Sequence, residues 1–156
     1  MHRIRHSLAV VVLALWWGGF SFYAGFVVFD GHAVLKSKVK QGFITERVTT
    51  QLNWLAVGAL AVTAWELAAR RRRGEATRAA WLAWAGVLVT TAALFVLHAQ
   101  LAGMLDFATR TVADDDHFYA RHRVYLLVAT AQWAAGLGVF LSFLSATPRQ
   151  KIASRR

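Results

Sequence analysis

The stretch AAWLAWAGVLVTTAALFVLHAQLAGML, from Ala79 to Leu105, decides the fold. It contains no Asp, Glu, Lys, Arg or Pro and is bounded by Arg78 and Asp106. It exceeds the roughly 20 apolar residues that cross about 30 Å of hydrocarbon as an α-helix. Three further runs of similar character follow on either side: Ser7 to Phe29, Leu52 to Ala69 and Val124 to Leu144. The hydrophobic share is 57% and the mean hydropathy +0.41, above the usual level of a soluble domain. No alternating strand pattern appears, and the only Pro, Pro148, comes after the last run, so nothing interrupts the helices. The reading is all-α: one domain, 1–156, an integral membrane four-helix bundle running up-down-up-down.

Basic residues set the expected orientation, because Lys and Arg accumulate in short cytoplasmic flanks. Arg3, Arg5, Arg70, Arg71, Arg72, Arg73, Arg78, Arg149, Lys151, Arg155 and Arg156 fall at one end of the runs. Lys36, Lys38, Lys40, Arg47, Arg110, Arg121 and Arg123 fall at the other, with most of the acids: Asp30, Glu46, Asp106, Asp114, Asp115 and Asp116. Eleven against seven places both termini in the cytoplasm, in a bacterial inner (plasma) membrane. The net charge of +10 therefore lies at the ends of apolar runs and not along a groove, which argues against nucleic acid as a partner. The first run has the basic start of a secretory signal, but Trp16, Trp17, Phe20, Phe22 and Tyr23 leave no small-x-small cleavage site, so it is expected to stay as a helix.

Small residues recur along the helices: Gly58, Ala61 and Ala64 to Ala69 in the second, and Ala129, Ala131, Ala134, Ala135, Gly136 and Gly138 in the fourth. They predict close helix–helix approach. Trp54, Trp65 and Trp81 suit interfacial anchoring. Between the first and second runs, Leu35, Val39 and Phe43 alternate with Lys36, Lys38 and Lys40. This predicts a short amphipathic helix over about 33–41 lying on the outer leaflet, ended by Gly42, with Thr45 capping the second helix. Asp114, Asp115 and Asp116 are expected to cap the fourth.

Without Cys, thiolate metal sites, iron–sulfur clusters and thiol nucleophiles are excluded. No hydrolase, P-loop or dinucleotide fingerprint occurs, so no catalytic residue is assigned. Polar groups within a span each need a reason. Counting by depth brings His98 one turn inside the hydrocarbon, His122 to the water line, and Asp30, His32, Glu46 and Asn53 to the same outer level. His32, His98, His117, His122, Glu46, Asp30 and Asp106 thus share one end, where imidazole and carboxylate suit Zn, Cu or Fe. His98 and His122 could instead ligate a haem, with Arg123 as counter-charge. The plainer alternative is that His98 hydrogen-bonds a neighbouring helix. Glu66 and Arg70 make an i,i+4 pair, and Gln132 is expected to bond across helices.

Two sets of residues carry a family resemblance. Leu15-Trp16-Trp17-Gly18-Gly19-Phe20 and Phe118-Tyr119-Ala120-Arg121-His122 resemble the W-x-G start of helix one and the F-x-x-x-H entry to helix four in a four-helix membrane family that includes the transmembrane protein 205 group. The resemblance implies the four-helix fold and little about activity. The W-x-G start and the histidines are also similar to the copper resistance D family, although only Met1 and Met104 are present and Met-rich segments are lacking. Two functions follow as expectations. The first is a noncatalytic membrane module or accessory subunit that binds other membrane subunits or a second copy of itself. The second is a metal, haem or small-solute site on His98 and His122, completed by His32, Glu46 or Asp106.

Overall fold

The computed structural model describes residues 2–106, 109, 111–112 and 115–145. Arg110, Asp114, Pro148, Arg149, Lys151, Arg155 and Arg156, used above for charge, capping and helix ending, lie outside the described residues. The described residues form five α-helices: α1 His2–Phe22, α2 Val28–Leu35, α3 Lys38–Arg72, α4 Arg78–Ala102 and α5 Asp115–Leu144. A π-helical segment, Tyr23–Val27, joins α1 to α2 without a break. The result is four rods, each long and apolar enough to cross a membrane. A two-residue antiparallel ladder, β1 Leu105–Asp106 with β2 Thr111–Val112, closes the α4–α5 connection.

The first connection departs from the expected one. No separate helix covers 33–41: the first rod continues to Leu35, and the chain reverses at Lys36, whose φ is 47°. Ser37, not Thr45, caps the second rod, its Oγ accepting from the Lys40 N–H at 3.3 Å. Gly42 ends nothing, because α3 runs through it to Arg72. Hydropathy counting stops where side chains turn polar, whereas the backbone hydrogen-bond ladder continues for as long as one face finds something to pack against. At the other end of α3, Gly74 (φ 73°) turns the chain, its N–H reaching Arg71 O at 3.0 Å and that of Glu75 reaching Arg70 O at 2.9 Å. Glycine is favoured there because a side chain resists the left-handed conformation. The fourth rod starts at Asp115, so Phe118 to Arg123 are helical.

Packing is tightest in the half of the bundle nearest the α3–α4 turn. Ala9, Leu13 and Trp16 of α1, Ala56, Leu60 and Leu67 of α3, Val87 of α4 and Val139 and Phe143 of α5 form one buried cluster. Gly136 lies under the indole of Trp16, where an added Cβ would come within 2.9 Å of the ring. Gly86 faces Ala135, and Gly138 faces Ala83, at 3.3 Å for an added Cβ, so the small residues of α5 bring it against α4 as expected. Gly58 and Ala61, by contrast, face outward. Gln132 bonds across helices, its Nε2 donating to Thr91 Oγ1 at 2.8 Å. The Trp17 Nε1–H donates to the Trp133 carbonyl at 3.1 Å, and the Trp133 Nε1–H donates to Ser21 Oγ at 2.8 Å. These bonds fasten α1 to α5 about midway along the bundle.

Candidate functional site: a cavity at the far end

At the end opposite the α3–α4 turn the rods enclose a cavity of about 340 Å³. The long α3 supplies its polar wall. Gln41, Thr45, Thr49 and Asn53 recur at intervals of four, which stacks them on one helix face. Glu46 and Thr50 form a second row one position round. Thr45 meets a tyrosine: the Tyr23 hydroxyl donates to Thr45 Oγ1 at 3.0 Å, and the buried Tyr125 of α5 lines the same cavity. Tyr23 opens the π-helical segment. The extra residue of a π turn rotates the side chains that follow it, and this one lies directly against the cavity.

The opposite wall is aromatic and aliphatic. Phe20, Val28, Leu101, Phe118 and Leu126 line it. His122 lies parallel to Phe118 and Tyr125, with ring centroids at 6.0 and 6.5 Å. His98 reaches the polar rows from α4: its Nε2 is 2.8 Å from Thr50 Oγ1 and 3.6 Å from Glu46 Oε1. The interhelical bond expected of His98 is therefore present.

Gln41 is distinctive. It is 3% exposed and lines the cavity, yet among the described residues neither its Oε1 nor its Nε2 has a hydrogen-bond partner. A buried amide without partners costs about 1–3 kcal/mol, so the position calls for an explanation. The amide is pressed against Gly31 of α2, where an added Cβ would fall 2.2 Å from Oε1. Gly42, beside it, has nothing within 4 Å of an added Cβ, because it faces the cavity.

Of the residues expected to form a site, His32, Glu46, His98 and His122 all line this cavity. Only His98 and Glu46 among them are brought into a pair. Asp106 sits outside in the β-turn, its Oδ1 accepting from the Thr109 N–H at 3.1 Å. Arg123, Asp30 and His117 are exposed. Among the described residues no three His, Asp or Glu side chains gather as a metal would require.

Sequence reading missed Gln41, Thr45, Thr49 and Tyr23 as site residues. The four-residue spacing is visible, but an outer helix over about 33–41 ended by Gly42 separates Gln41 from Thr45, Thr49 and Asn53. Glu66 was also underestimated. It is fully buried, and besides Arg70 Nε at 3.1 Å it binds Arg5 Nε and, at 3.5 Å, Arg73 Nη2. Arg70 lies over the Phe143 ring at 4.4 Å and donates to Ser142 O at 3.3 Å. Among protein families, curated proteins and solved structures, none matches this chain.

Proposed function

We propose that this chain is a noncatalytic integral membrane module that binds a small, largely apolar organic molecule in the far-end cavity. The unpartnered, buried carboxamide of Gln41 carries the reading, because a bound molecule would supply the hydrogen bonds that the protein leaves unmade. The cavity combines a mostly apolar lining with a few convergent polar groups, which is the usual composition of a small-molecule site. Four rods of spanning length support the membrane assignment. The basic excess on the Arg70–Arg78 turn supports placing that turn and the termini in the cytoplasm, with the cavity facing the other side.

Solvent extraction of the detergent-purified protein, followed by mass spectrometry, tests the reading. The native chain should release one compound in roughly stoichiometric amount. Gly42→Leu, which fills open space without a clash, should release none. Identical extracts from the two proteins would refute the site.

A further inference from the structure

The cavity has a direction. Along α3, at roughly 1.5 Å per residue, Gln41 stands about 37 Å above Glu66, Thr49 about 26 Å and Leu52 about 21 Å. In the upper part His32, Gln41, Thr45 and Glu46 line the wall beside the apolar Val28, Leu105 and Phe118, and in the lower part the apolar Phe20, Leu52 and Ala129 do. With the buried Glu66 cluster at one edge of about 30 Å of hydrocarbon, the upper part lies at the opposite interface and the lower part in the acyl region. This polarity gradient matches that of a lipid in the outer leaflet.

The cavity also has a side. Below it α1 and α5 are clasped by Trp17, Ser21 and Trp133. Above the clasp the wall residues Ala24 of the first rod and Leu126 of α5 are both lining and exposed, Leu126 to 51%. A wall residue that is also exposed marks a rim, so the cavity opens laterally between these two rods as well as at its outer end, where the lining residues His32 and Tyr119 are exposed. Ala24 is about 28 Å along α1 from Arg5, and Leu126 about 26 Å along α5 from Phe143. Arg5 and Phe143 both belong to the Glu66 cluster, so the lateral opening faces acyl chains.

We infer that the occupant is a single-chain lipid drawn sideways from the outer leaflet, its uncharged head on Gln41 and its chain leaving between Ala24 and Leu126. The inference rests on the binding function proposed above and names its ligand class. A carboxamide presents one acceptor beside donors, so the complementary head carries a donor beside an acceptor, as a carboxamide, a neutral carboxylic acid or a glycerol diol does. No Lys or Arg lines the cavity among the described residues, which leaves a phosphate head without a counter-charge.

The test uses the full chain in phosphatidylcholine nanodiscs with a fatty amide bearing a diazirine in its acyl chain. After irradiation, adducts should map to peptides holding Ala24 to Val28 and Leu126 to Ala129. Oleamide should compete, and methyl oleate, which lacks the donor, should compete about tenfold less well. Gly42→Leu should abolish the adducts, and Gln41→Leu should erase the preference for oleamide over methyl oleate. Adducts that survive Gly42→Leu, or equal competition by the two lipids, would overturn the inference. If the fatty amide leaves no adduct but the native chain still releases a water-soluble compound that Gly42→Leu lacks, the cavity binds a solute and only the lipid inference fails. If neither signal appears, both fail.

Discussion

The two ends of the bundle treat one buried polar side chain each in opposite ways, Glu66 at one end and Gln41 at the other. Near the α3–α4 turn, the Glu66 carboxylate is met by Arg5, Arg70 and Arg73, drawn from two rods. Small residues bring the helices into close contact there, and the Trp17–Ser21–Trp133 clasp limits that half. At the far end the same four rods separate around a cavity, and the buried Gln41 amide has no hydrogen-bond partner among the described residues. The close packing and the ion cluster thus share one end. The far end instead keeps an unmade interaction and open volume, a pairing typical of sites that give up stability for function.

Substitutions can break or sharpen this contrast. Glu66→Leu should have the largest effect, since it leaves the buried Arg70 uncompensated; a loss of about 3–5 kcal/mol would show as a large fall in the melting temperature in detergent. A fall no greater than that of an exposed control such as Glu75→Leu would remove the contrast. Gly136→Ala drives a Cβ into the Trp16 indole and should cost about 1–3 kcal/mol by overpacking, read from the same melting curve. Gln132→Leu removes the bond to Thr91 and should cost about 1 kcal/mol, because interhelical hydrogen bonds in membranes are modest. At the far end the sign reverses. Gln41→Leu replaces an unsatisfied amide with an apolar group and should raise the stability of the ligand-free protein by about 1 kcal/mol. Destabilisation of that protein would mean that Gln41 serves the fold.

How far the sequence disclosed this arrangement depended on whether the signal was local. Runs such as Ala79 to Leu105 give four rods because length and lack of charge suffice to identify a spanning helix. The level shared by His32, Glu46, His98 and His122 follows from a fixed rise per residue, and these four do line one cavity. What depth counting lacks is rotation about the helix axis, so Asp106 and Arg123 stand at the same end yet outside the cavity. Gly42 misled because a glycine halts a helix only when the following residues lack a face to pack. Here Gln41 and Thr45 supply that face against the first rod. Glu66 looked like a simple pair with Arg70 because Arg5 lies 61 positions away, a proximity that only the tertiary fold creates.

The clasp at Ser21 has a mechanical consequence. Helix α1 is gripped from Ala9 to Ser21, by burial at Trp16 and by hydrogen bonds at Trp17 and Ser21, and the π-helical segment begins two residues later. If the upper arm moves, the π turn just above the grip, at Tyr23, is where the rod would bend. Swinging the α2 arm would widen the gap beside Ala24 and leave the Glu66 end undisturbed. Backbone amide exchange should therefore quicken abruptly on passing from Ser21 to Phe29, and uniform protection along the rod would show that this arm does not swing.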